Sequence, residues 1–427
     1  MELVTDFLPI QDVWDFRVDI DFAVNLVHST SDIESLYNLL QHVKVVQVCD
    51  KCDNLNVCVS HFAVTYEVSD LEKNTKSGQC QLCALLYNAA ARSGIPLLST
   101  IQFKRVGSVL VVNDGPPVVS IIAGIDSGTY MNQVPLKCAR TKSKRWHKLI
   151  ALKFHGGQCP PDIQLSYPKL PKPGSATSAH LMQQWIRSCD TTHQCMTTVA
   201  GPGLPSRLLS TNYHVDGGVR LCPTAEMDPE VRYTALSFVW GKANKGHDRT
   251  LSHNLATFEE RIDYEQLSKT IRDAIQVTYQ LGIKYIWIDS LCVIQDVRED
   301  WAEASGQTEK IFSNAYCVLA ASSALDVTKG FITPRRQRLA VPLKDFNGVA
   351  ISACELIDDF QTDVDASPLS SRGWAFQERV LARRIIFFTS TQMYWQCGEG
   401  IHCETLMKLH KYVFPTSCSE SEDILSL

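Results

Sequence analysis

The sequence lacks a strong excess of either charge, and it lacks any apolar run long enough to cross a membrane. Its 427 residues include 41 Lys and Arg against 46 Asp and Glu, which gives a formal net charge of −5 and a pI of about 6.2. A chain without a basic excess offers no general surface for nucleic acid, so we expect no such partner. No apolar run approaches the roughly 20 residues of a membrane-spanning helix, so we expect no span.

The first residues also lack the features of a secretory signal. The segment MELVTDFLPIQD contains Glu2 and Asp6 and no basic residue, whereas a secretory signal begins with a basic segment. We therefore expect a cytoplasmic protein. Its 16 cysteines would stay reduced there, which favours core residues and a metal site over disulfides.

A proline-rich segment divides the chain. Residues 159–178 contain five prolines before Gly174, which is typical of a linker. We predict an α+β region over residues 1–158, this linker, a lead-in helix with strands over 179–232, a main domain over 233–397 and a tail over 398–427. In the first region, alternating apolar residues between Leu98 and Gly124 predict a three-stranded antiparallel meander.

Two CxxC pairs in the first region are spaced as in a structural zinc site. The candidate ligands are Cys49, Cys52, Cys80 and Cys83. Each two-residue spacer lets two sulfurs reach one ion, and four thiolates complete a tetrahedron. The gap between the pairs exceeds the usual 15–20 residues, so Cys58 and His61 are alternative ligands. The second pair, three residues apart on an apolar helix, is equally consistent with core packing.

A second sulfur-rich segment follows the linker. Leu181, Trp185 and Cys189 recur at helical spacing on one face, and His193 and Cys195 come directly after this helix. A closed zinc site needs four ligands, and this segment supplies three. The missing fourth ligand favours a packed corner over a metal site.

The main domain alternates strands with helices. The runs ALSFVW (235–240), KYIWI (284–288) and CVLAA (317–321) are typical of buried strands, and apolar stripes at 266–281 and 300–315 predict the helices between them. This order favours an α/β fold with a parallel sheet and right-handed crossovers. In such sheets, ligands bind beyond the carboxyl ends of the strands.

Candidate binding residues lie at the carboxyl end of each predicted strand. They are Trp240, Gly241 and Lys242 at the end of the first strand, Asp289, Ser290 and Cys292 at the end of the second, and Ser322 and Ser323 at the end of the third. We therefore expect a ring, a cation, a carboxylate, a thiol and hydroxyls along one edge. Asp289 either caps its own turn or serves a site, because a buried carboxylate needs a partner. Cys292 lies in an apolar run, which favours core packing over a role as nucleophilic thiol. Trp287 is flanked by isoleucines, which also favours a core position.

A later helix adds three candidates. Arg372 is suited to bind a carboxylate or a phosphate in bidentate fashion, and Glu378 to act as general acid or base or to bind a ribose hydroxyl. Trp374 follows Gly373, and glycine admits a ligand close to the backbone. In the alternative interpretation, Arg372 and Glu378 are partners in a buried polar network.

Several long motifs follow one another along the main domain. They are Tyr233–Gly241 (YTALSFVWG), Tyr285–Asp296 (YIWIDSLCVIQD), Asp300-Trp301, Asn314-Ala315 and Arg372–Arg379 (RGWAFQER). In this order they resemble the fungal heterokaryon-incompatibility (HET) domain, closely over residues 233–379 and more loosely over 180–397. Phe238 and Phe312 stand where that family usually has Tyr.

The resemblance implies a role in fungal non-self recognition, in which incompatible fusion triggers programmed cell death. HET domains are likened to Toll/interleukin-receptor (TIR) domains, so it also implies a flavodoxin-like parallel sheet. Partners would then be proteins of the cell-death pathway or a second copy of the chain. Because some TIR-like domains cleave NAD through a glutamate, NAD is a candidate substrate for an enzymatic alternative.

Two functional hypotheses and one metal hypothesis result. The first function is a regulator or effector of cell death that acts through protein contacts. The second is an NAD- or nucleotide-cleaving enzyme with Glu378 and Asp289 as catalytic residues. Its ligand-binding residues would be Trp240, Gly241, Lys242, Arg372 and Trp374. The metal hypothesis assigns zinc to Cys49, Cys52, Cys80 and Cys83.

Overall fold

The computed structural model of the protein describes the chain in several ranges. The described residues are 5–7, 47–57, 59, 61–92, 100–106, 109–113, 117–124, 164–166, 168–193, 195, 203–212, 218–241, 248–343 and 351–409. The chain divides into two compact units. The first unit comprises residues 1–7, 179–333 and 360–427, and the second comprises residues 8–178 and 334–359.

The strands are short and are numbered here in chain order. They are β1 Thr5–Phe7, β2 Ala63–Glu67, β3 Thr100–Val106, β4 Val109–Val112, β5 Pro117–Gly124, β6 Gln164–Ser166, β7 Arg207–Ser210, β8 Gly218–Val219, β9 Leu221–Pro223, β10 Tyr233–Ser237, β11 Ile262–Asp263, β12 Tyr285–Trp287, β13 Cys317–Ala320, β14 Ala340–Pro342, β15 Ile351–Glu355, β16 Ile385–Phe388, β17 Met393–Cys397, β18 Gly400–Cys403 and β19 Met407–Leu409.

The helices are numbered in the same way. They are α1 Asp50–Asp53, α2 Val68–Lys76, α3 Gln81–Arg92, α4 Ala176–Thr192, α5 Leu255–Glu260, α6 Lys269–Gln280, α7 Asp289–Cys292, α8 Arg298–Gly306, α9 Thr308–Asn314 and α10 Gly373–Leu381, with a 3-10 turn at Tyr264–Gln266 and a π turn at Gln361–Asp365. Among the described residues, no helix combines the length and the apolar character that crossing a bilayer requires.

The first unit is built on a mixed sheet with the order β1-β19-β18-β17-β16-β13-β10-β12-β7-β9. Its centre is the run β16-β13-β10-β12, in which every neighbouring pair is parallel. These strands are apolar along most of their length, and every residue of β10, β13 and β16 is buried. Continuous apolar runs of this kind are typical of parallel strands that are covered on both faces.

The expectation of a parallel, flavodoxin- or TIR-like sheet is wrong for the sheet as a whole. Only three of its nine described strand pairs are parallel, and the outer pairs on both sides are antiparallel. Four residues separate β16 from β17, and so short a connection closes a hairpin but cannot make the crossover that a parallel pair needs. The α/β class holds, with sheets that are mostly antiparallel.

Helix α6 follows its sequence pattern closely. Its buried positions include Ile271, Ala274, Ile275 and Thr278, the stripe that the sequence predicts. Gly282 lies just past its end with a φ of +75°, and its N–H donates to the Tyr279 carbonyl at 2.9 Å. The next N–H, that of Ile283, donates to the Thr278 carbonyl at 3.1 Å, which completes the Schellman ending that glycine favours at this position.

The second unit contains a sheet with the order β14-β15-β5-β4-β3-β2, and β6 pairs in parallel with β5. The predicted meander is confirmed, because β3, β4 and β5 pair antiparallel in sequence order. Strands β14 and β15 come from residues 340–355 and add to the edge at β5. The expected main domain over 233–397 therefore contributes strands to both units. Helix α3 contributes to the core of this unit through Leu82, Leu85, Leu86 and Ala89.

Candidate functional site

The carboxyl edge of the parallel strands carries the predicted polar cluster. Ser237 ends β10, and Asp289 begins α7 directly after β12. The chain passes from β10 to β12 on one side and then to β13 on the other side of β10. Open α/β sheets bind ligands beyond the carboxyl ends of the strands, at the point where the strand order reverses in this way.

Asp289 accepts hydrogen bonds from two neighbours at this edge. Its carboxylate accepts the backbone N–H of Ser290 at 2.7 Å, within the first turn of α7. It also accepts the indole N–H of Trp240 at 2.9 Å and so fixes that ring at the edge. Burial raises the pKa of Asp289 to about 6, although the side chain keeps some solvent contact, and the donors and the charge of Arg372 only partly offset the effect of burial.

Glu378 lies on α10 and reaches the same edge. Its carboxylate accepts a hydrogen bond from the hydroxyl of Ser237 at the end of β10. Burial raises the pKa of Glu378 to about 7; the hydrogen bond of Ser237 opposes this rise, the charge of Asp289 adds to it, and that of Arg372 opposes it. A carboxyl group that titrates near neutral pH is suited to give and to accept a proton in turn.

Arg372 links the two carboxylates electrostatically. It is the N-cap of α10 and its guanidinium donates to the carbonyl of Phe238, just beyond β10. Its positive charge lowers the pKa of both Asp289 and Glu378. One cation therefore acts electrostatically on two carboxylates, and Arg372 is half-buried at the edge.

The other predicted ligand-binding residues take different positions. Gly241 has a φ of +73°, and a Cβ at this position would lie 2.4 Å from the Cβ of Asp326. The close contact that requires glycine at position 241 is therefore with Asp326. The ring of Trp374 is 56% exposed on α10, outside the hydrogen-bonded group at the edge. Lys242 lies outside the described residues.

Three serine hydroxyls at this edge are buried without a hydrogen-bond partner among the described residues. They belong to Ser290, Ser322 and Ser323, and all three residues follow strands of the parallel run. A buried hydroxyl without a partner costs about 1–3 kcal/mol of stability. Such groups persist at sites where a polar ligand or water satisfies them.

Cys292 and Trp287 are core residues, in agreement with the interpretation that the sequence favoured. The sulfur of Cys292 accepts the Ile288 N–H at 3.4 Å, and burial raises its pKa to about 12. A thiol with so high a pKa carries almost no thiolate near neutral pH. The ring of Trp287 packs edge-on against Phe312, with centroids 5.6 Å apart.

Two acidic residues of the quoted motifs have structural roles that the sequence analysis did not assign. Asp300 forms an ion pair with Arg207 of β7, and both side chains are largely buried. The same carboxylate accepts the Ile294 N–H at 2.7 Å. Asp296 accepts the N–H of Ser252 at 2.8 Å. No local pattern predicts these two contacts, because Ser252 and Arg207 are 44 and 93 residues away from their partners in the chain. The only sequence signal is that both acidic residues lie in the quoted motifs.

The second unit brings the two CxxC pairs together. The sulfurs of Cys49, Cys52, Cys80 and Cys83 all lie within 4.8 Å of one another. The Sγ of Cys83 is 3.8 Å from that of Cys49 and 3.6 Å from that of Cys52. A disulfide would need about 2.05 Å. Two thiolates on one tetrahedral zinc lie about 3.8 Å apart, because each Zn–S bond is about 2.3 Å long. His61 is exposed and outside this group, and Cys58 lies outside the described residues.

Polar neighbours surround this sulfur group. The hydroxyl of Tyr66 lies 3.2 Å from the Cys52 sulfur, and the amide of Asn74 donates to the Cys83 sulfur at 3.5 Å. The hydrogen bond from Cys52 lowers the pKa of Cys83 to about 5, whereas that contact raises the pKa of Cys52. The donor set is therefore suited to a metal ion that prefers thiolate, and hydrogen bonds from groups such as Tyr66 and Asn74 orient metal ligands.

Comparison with known families agrees with the resemblance of the motifs. Residues 233–378 match the family model described as Heterokaryon incompatibility protein (HET). The chain thus contains a HET domain, which associates it with heterokaryon incompatibility. The match runs from the first residue of β10 to Glu378 and so includes the whole carboxylate edge. No curated protein and no solved structure matches the chain.

Proposed function

We propose that this protein acts in fungal non-self recognition, in the cytoplasm, where its HET domain promotes or regulates programmed cell death. The family match over residues 233–378 carries this proposal. The domain acts through contacts with other proteins of the incompatibility pathway or with a second copy of itself. The domain then functions by recognising its partners, and the carboxylate edge organises the surface that they contact.

The exposed apolar side chains of α10 support action through contacts. Trp374, Phe376 and Val380 are each more than half exposed. They lie on the helix that supplies Glu378 and next to Arg372. Exposed aromatic residues beside an arginine have the composition of interaction hot spots.

Expression in a fungal host tests this function. The comparison uses wild type, Glu378→Gln and Phe376→Ser, with viability and cellular NAD scored together. We expect wild type and Glu378→Gln to kill cells at constant NAD, and Phe376→Ser to lose killing because it disrupts a contact surface. Protein levels of wild type and Glu378→Gln are matched by immunoblot. Survival of cells that express wild type at this matched level would contradict the proposal.

The enzymatic alternative is cleavage of NAD or a related nucleotide at the carboxylate edge. The titration of Glu378 near neutral pH, next to Arg372 and three unpartnered hydroxyls, favours it. Glu378 would act as the proton-transferring group and Arg372 would hold phosphate. Purified wild type incubated with NAD under self-associating conditions should then release nicotinamide, and Glu378→Gln should reduce release at least 100-fold. Absence of nicotinamide from the wild-type reaction removes the alternative.

We also propose that Cys49, Cys52, Cys80 and Cys83 bind zinc. Four sulfurs within 4.8 Å of one another, three of them in buried residues, support a closed, structural site. The ion would link the start of α1, at Cys49 and Cys52, to the start of α3, at Cys80 and Cys83. Metal analysis of the purified chain and of Cys52→Ser tests the assignment, since the variant should bind one zinc fewer than wild type.

A further inference from the structure

A second group of metal-binding side chains lies in the first unit. Cys189 is near the end of α4, His193 and Cys195 follow the helix, and Cys397 ends β17. One ligand atom from each of the four lies within 4.8 Å of the others. The local sequence favours a packed corner over a metal site here, because it supplies only three of four ligands. Cys397, more than 200 residues further along the chain, supplies the fourth.

The separation of the ligand atoms fits a tetrahedral ion. The Sγ of Cys397 lies 3.5 Å from Nδ1 of His193. A thiolate and an imidazole nitrogen on one tetrahedral zinc lie about 3.6 Å apart, given bonds of about 2.3 and 2.0–2.1 Å. All three cysteines are free thiols. Cys189 and Cys397 are almost fully buried, whereas His193 and Cys195 are half-buried. Four protein ligands complete a tetrahedron, as in structural zinc sites.

The surroundings supply the charge and the space that such an ion needs. Three thiolates around one divalent ion leave a net charge of −1, which is costly in a buried position. Arg384, only 1% exposed, places its positive charge beside Cys189 and pairs with Asp190. A Cβ at Gly398 would lie 3.1 Å from the Cys195 sulfur, so a glycine after Cys397 leaves room for that ligand.

We propose that Cys189, His193, Cys195 and Cys397 bind a structural zinc ion that fastens the end of α4 to the end of β17. The ion would thereby join helix α4 to a strand of the same sheet, although both elements lie outside the matched residues 233–378. Without the ion, α4 would be held to this part of the sheet by apolar packing such as the stacking of Trp185 on Trp395. The site is independent of the one that we assign to the second unit.

Zinc content of the full-length protein, measured by mass spectrometry of the metal, tests the site. We expect two zinc ions per chain in wild type, one in Cys397→Ser, one in Cys52→Ser and none in the double variant. Cys317→Ala, at a buried cysteine of β13 outside both groups, serves as the control and should keep two. Equal zinc content in wild type and Cys397→Ser would overturn the proposal, whatever the result for Cys52→Ser.

A ligand exchange keeps the test valid if Cys397→Ser does not fold. His193→Cys retains four ligands and should retain both ions, whereas His193→Ala should lose one. In native wild type, iodoacetamide should label the half-buried Cys195 only after zinc is chelated, as read by peptide mapping. Full labelling of Cys195 before chelation would also overturn the proposal.

Discussion

The sulfur group of the second unit and the carboxylate edge of the first differ in where their polar atoms point. The sulfurs of Cys49, Cys52, Cys80 and Cys83 face one another and are mostly buried. Asp289 and Glu378 are half-buried at the end of a sheet, with raised pKa values. A closed group directs its ligands at one ion and so favours stability. An open group keeps its carboxyl groups in a costly state, which is characteristic of sites that bind or react.

The raised pKa values of Asp289 and Glu378 result from burial, and at Glu378 also from the like charge of Asp289. Both carboxyl groups lose water, and the charge of Asp289 adds to the effect at Glu378. One guanidinium, that of Arg372, faces two carboxylates and offsets only part of this. We therefore expect changes in the sulfur group to destabilise the protein and isosteric changes at the edge to stabilise it.

The largest effect should come from the sulfur group. Cys52→Ser removes one of four ligands, and the loss of a structural zinc ion should lower the free energy of unfolding of the second unit by about 4 kcal/mol or more. The control is Cys354→Ala, at a buried cysteine of β15 in the same unit, with an expected loss of about 1 kcal/mol. Denaturant unfolding, followed by hydrogen exchange in β2 to β5, measures both. Equal losses would mean that the sulfurs act only as packed core residues.

The second effect concerns Gly241, which the sequence assigned to ligand binding. Gly241→Ala meets both a left-handed φ of +73° and the Asp326 backbone and Cβ. We expect a loss of about 2–4 kcal/mol in thermal or denaturant unfolding. Gly282→Ala is the matched control, since it has a φ of +75° with no atom within 4 Å of the added Cβ. Its loss should be about 1 kcal/mol. If the two losses agree, the approach of Asp326 is not what requires glycine at 241.

The comparison also shows which features are local enough to predict from sequence. The sulfur group of the second unit consists of two CxxC pairs within 35 residues. The spacing inside each pair indicates a metal site, although the gap between the pairs exceeds the usual 15–20 residues. Helix α6 was predictable because its apolar stripe and the glycine at its end are local. The convergence of Asp289 and Glu378 needed only the rule that parallel strands share a carboxyl edge and the motif at 372–379.

Other features depend on contacts that no local pattern encodes. Cys397 joins Cys189 only because β17 forms a hairpin with β16. Strands β14 and β15 read as short apolar runs, and nothing in them indicates pairing with β5. The antiparallel additions to the sheet follow from loop length, which the strand–helix alternation of 233–321 does not reveal. The contact of Gly241 with Asp326 is not predictable from sequence, because a glycine turn has the same pattern beside a ligand and beside a loop.

The third effect has the opposite sign and depends on pH. The folded-state pKa of Glu378 is about 7, above the usual value for a glutamate, so the folded protein binds more protons than the unfolded chain between about pH 4.5 and 7. Stability therefore falls as pH rises through this range. Glu378→Gln should be more stable than wild type by about 1–2 kcal/mol at pH 8, after allowance for solvent screening, and equally stable near pH 4.

Asp326→Asn provides the control for this pH dependence. Hydrogen bonds from Thr328 lower the pKa of Asp326, so its contribution is present above the unfolded-state pKa and lost as pH falls. The asparagine variant should be less stable than wild type at pH 8, opposite to Glu378→Gln. Urea unfolding at pH 4, 6 and 8 measures both variants. A Glu378→Gln variant that is destabilised at pH 8 would mean that the carboxylate is a structural partner of Ser237.

The smallest effect separates the two tryptophans that the sequence placed together at the edge. Trp374 is mostly exposed, so Trp374→Ala should change the free energy of unfolding by no more than about 0.5 kcal/mol. Trp240 donates its indole N–H to Asp289, so Trp240→Phe should cost about 1–2 kcal/mol and raise the pKa of that carboxylate further. If Trp374→Ala instead costs as much as Trp240→Phe, its ring is part of the edge. If it costs little but abolishes killing in the fungal host, the exposed face of α10 serves recognition while Trp240 maintains the site.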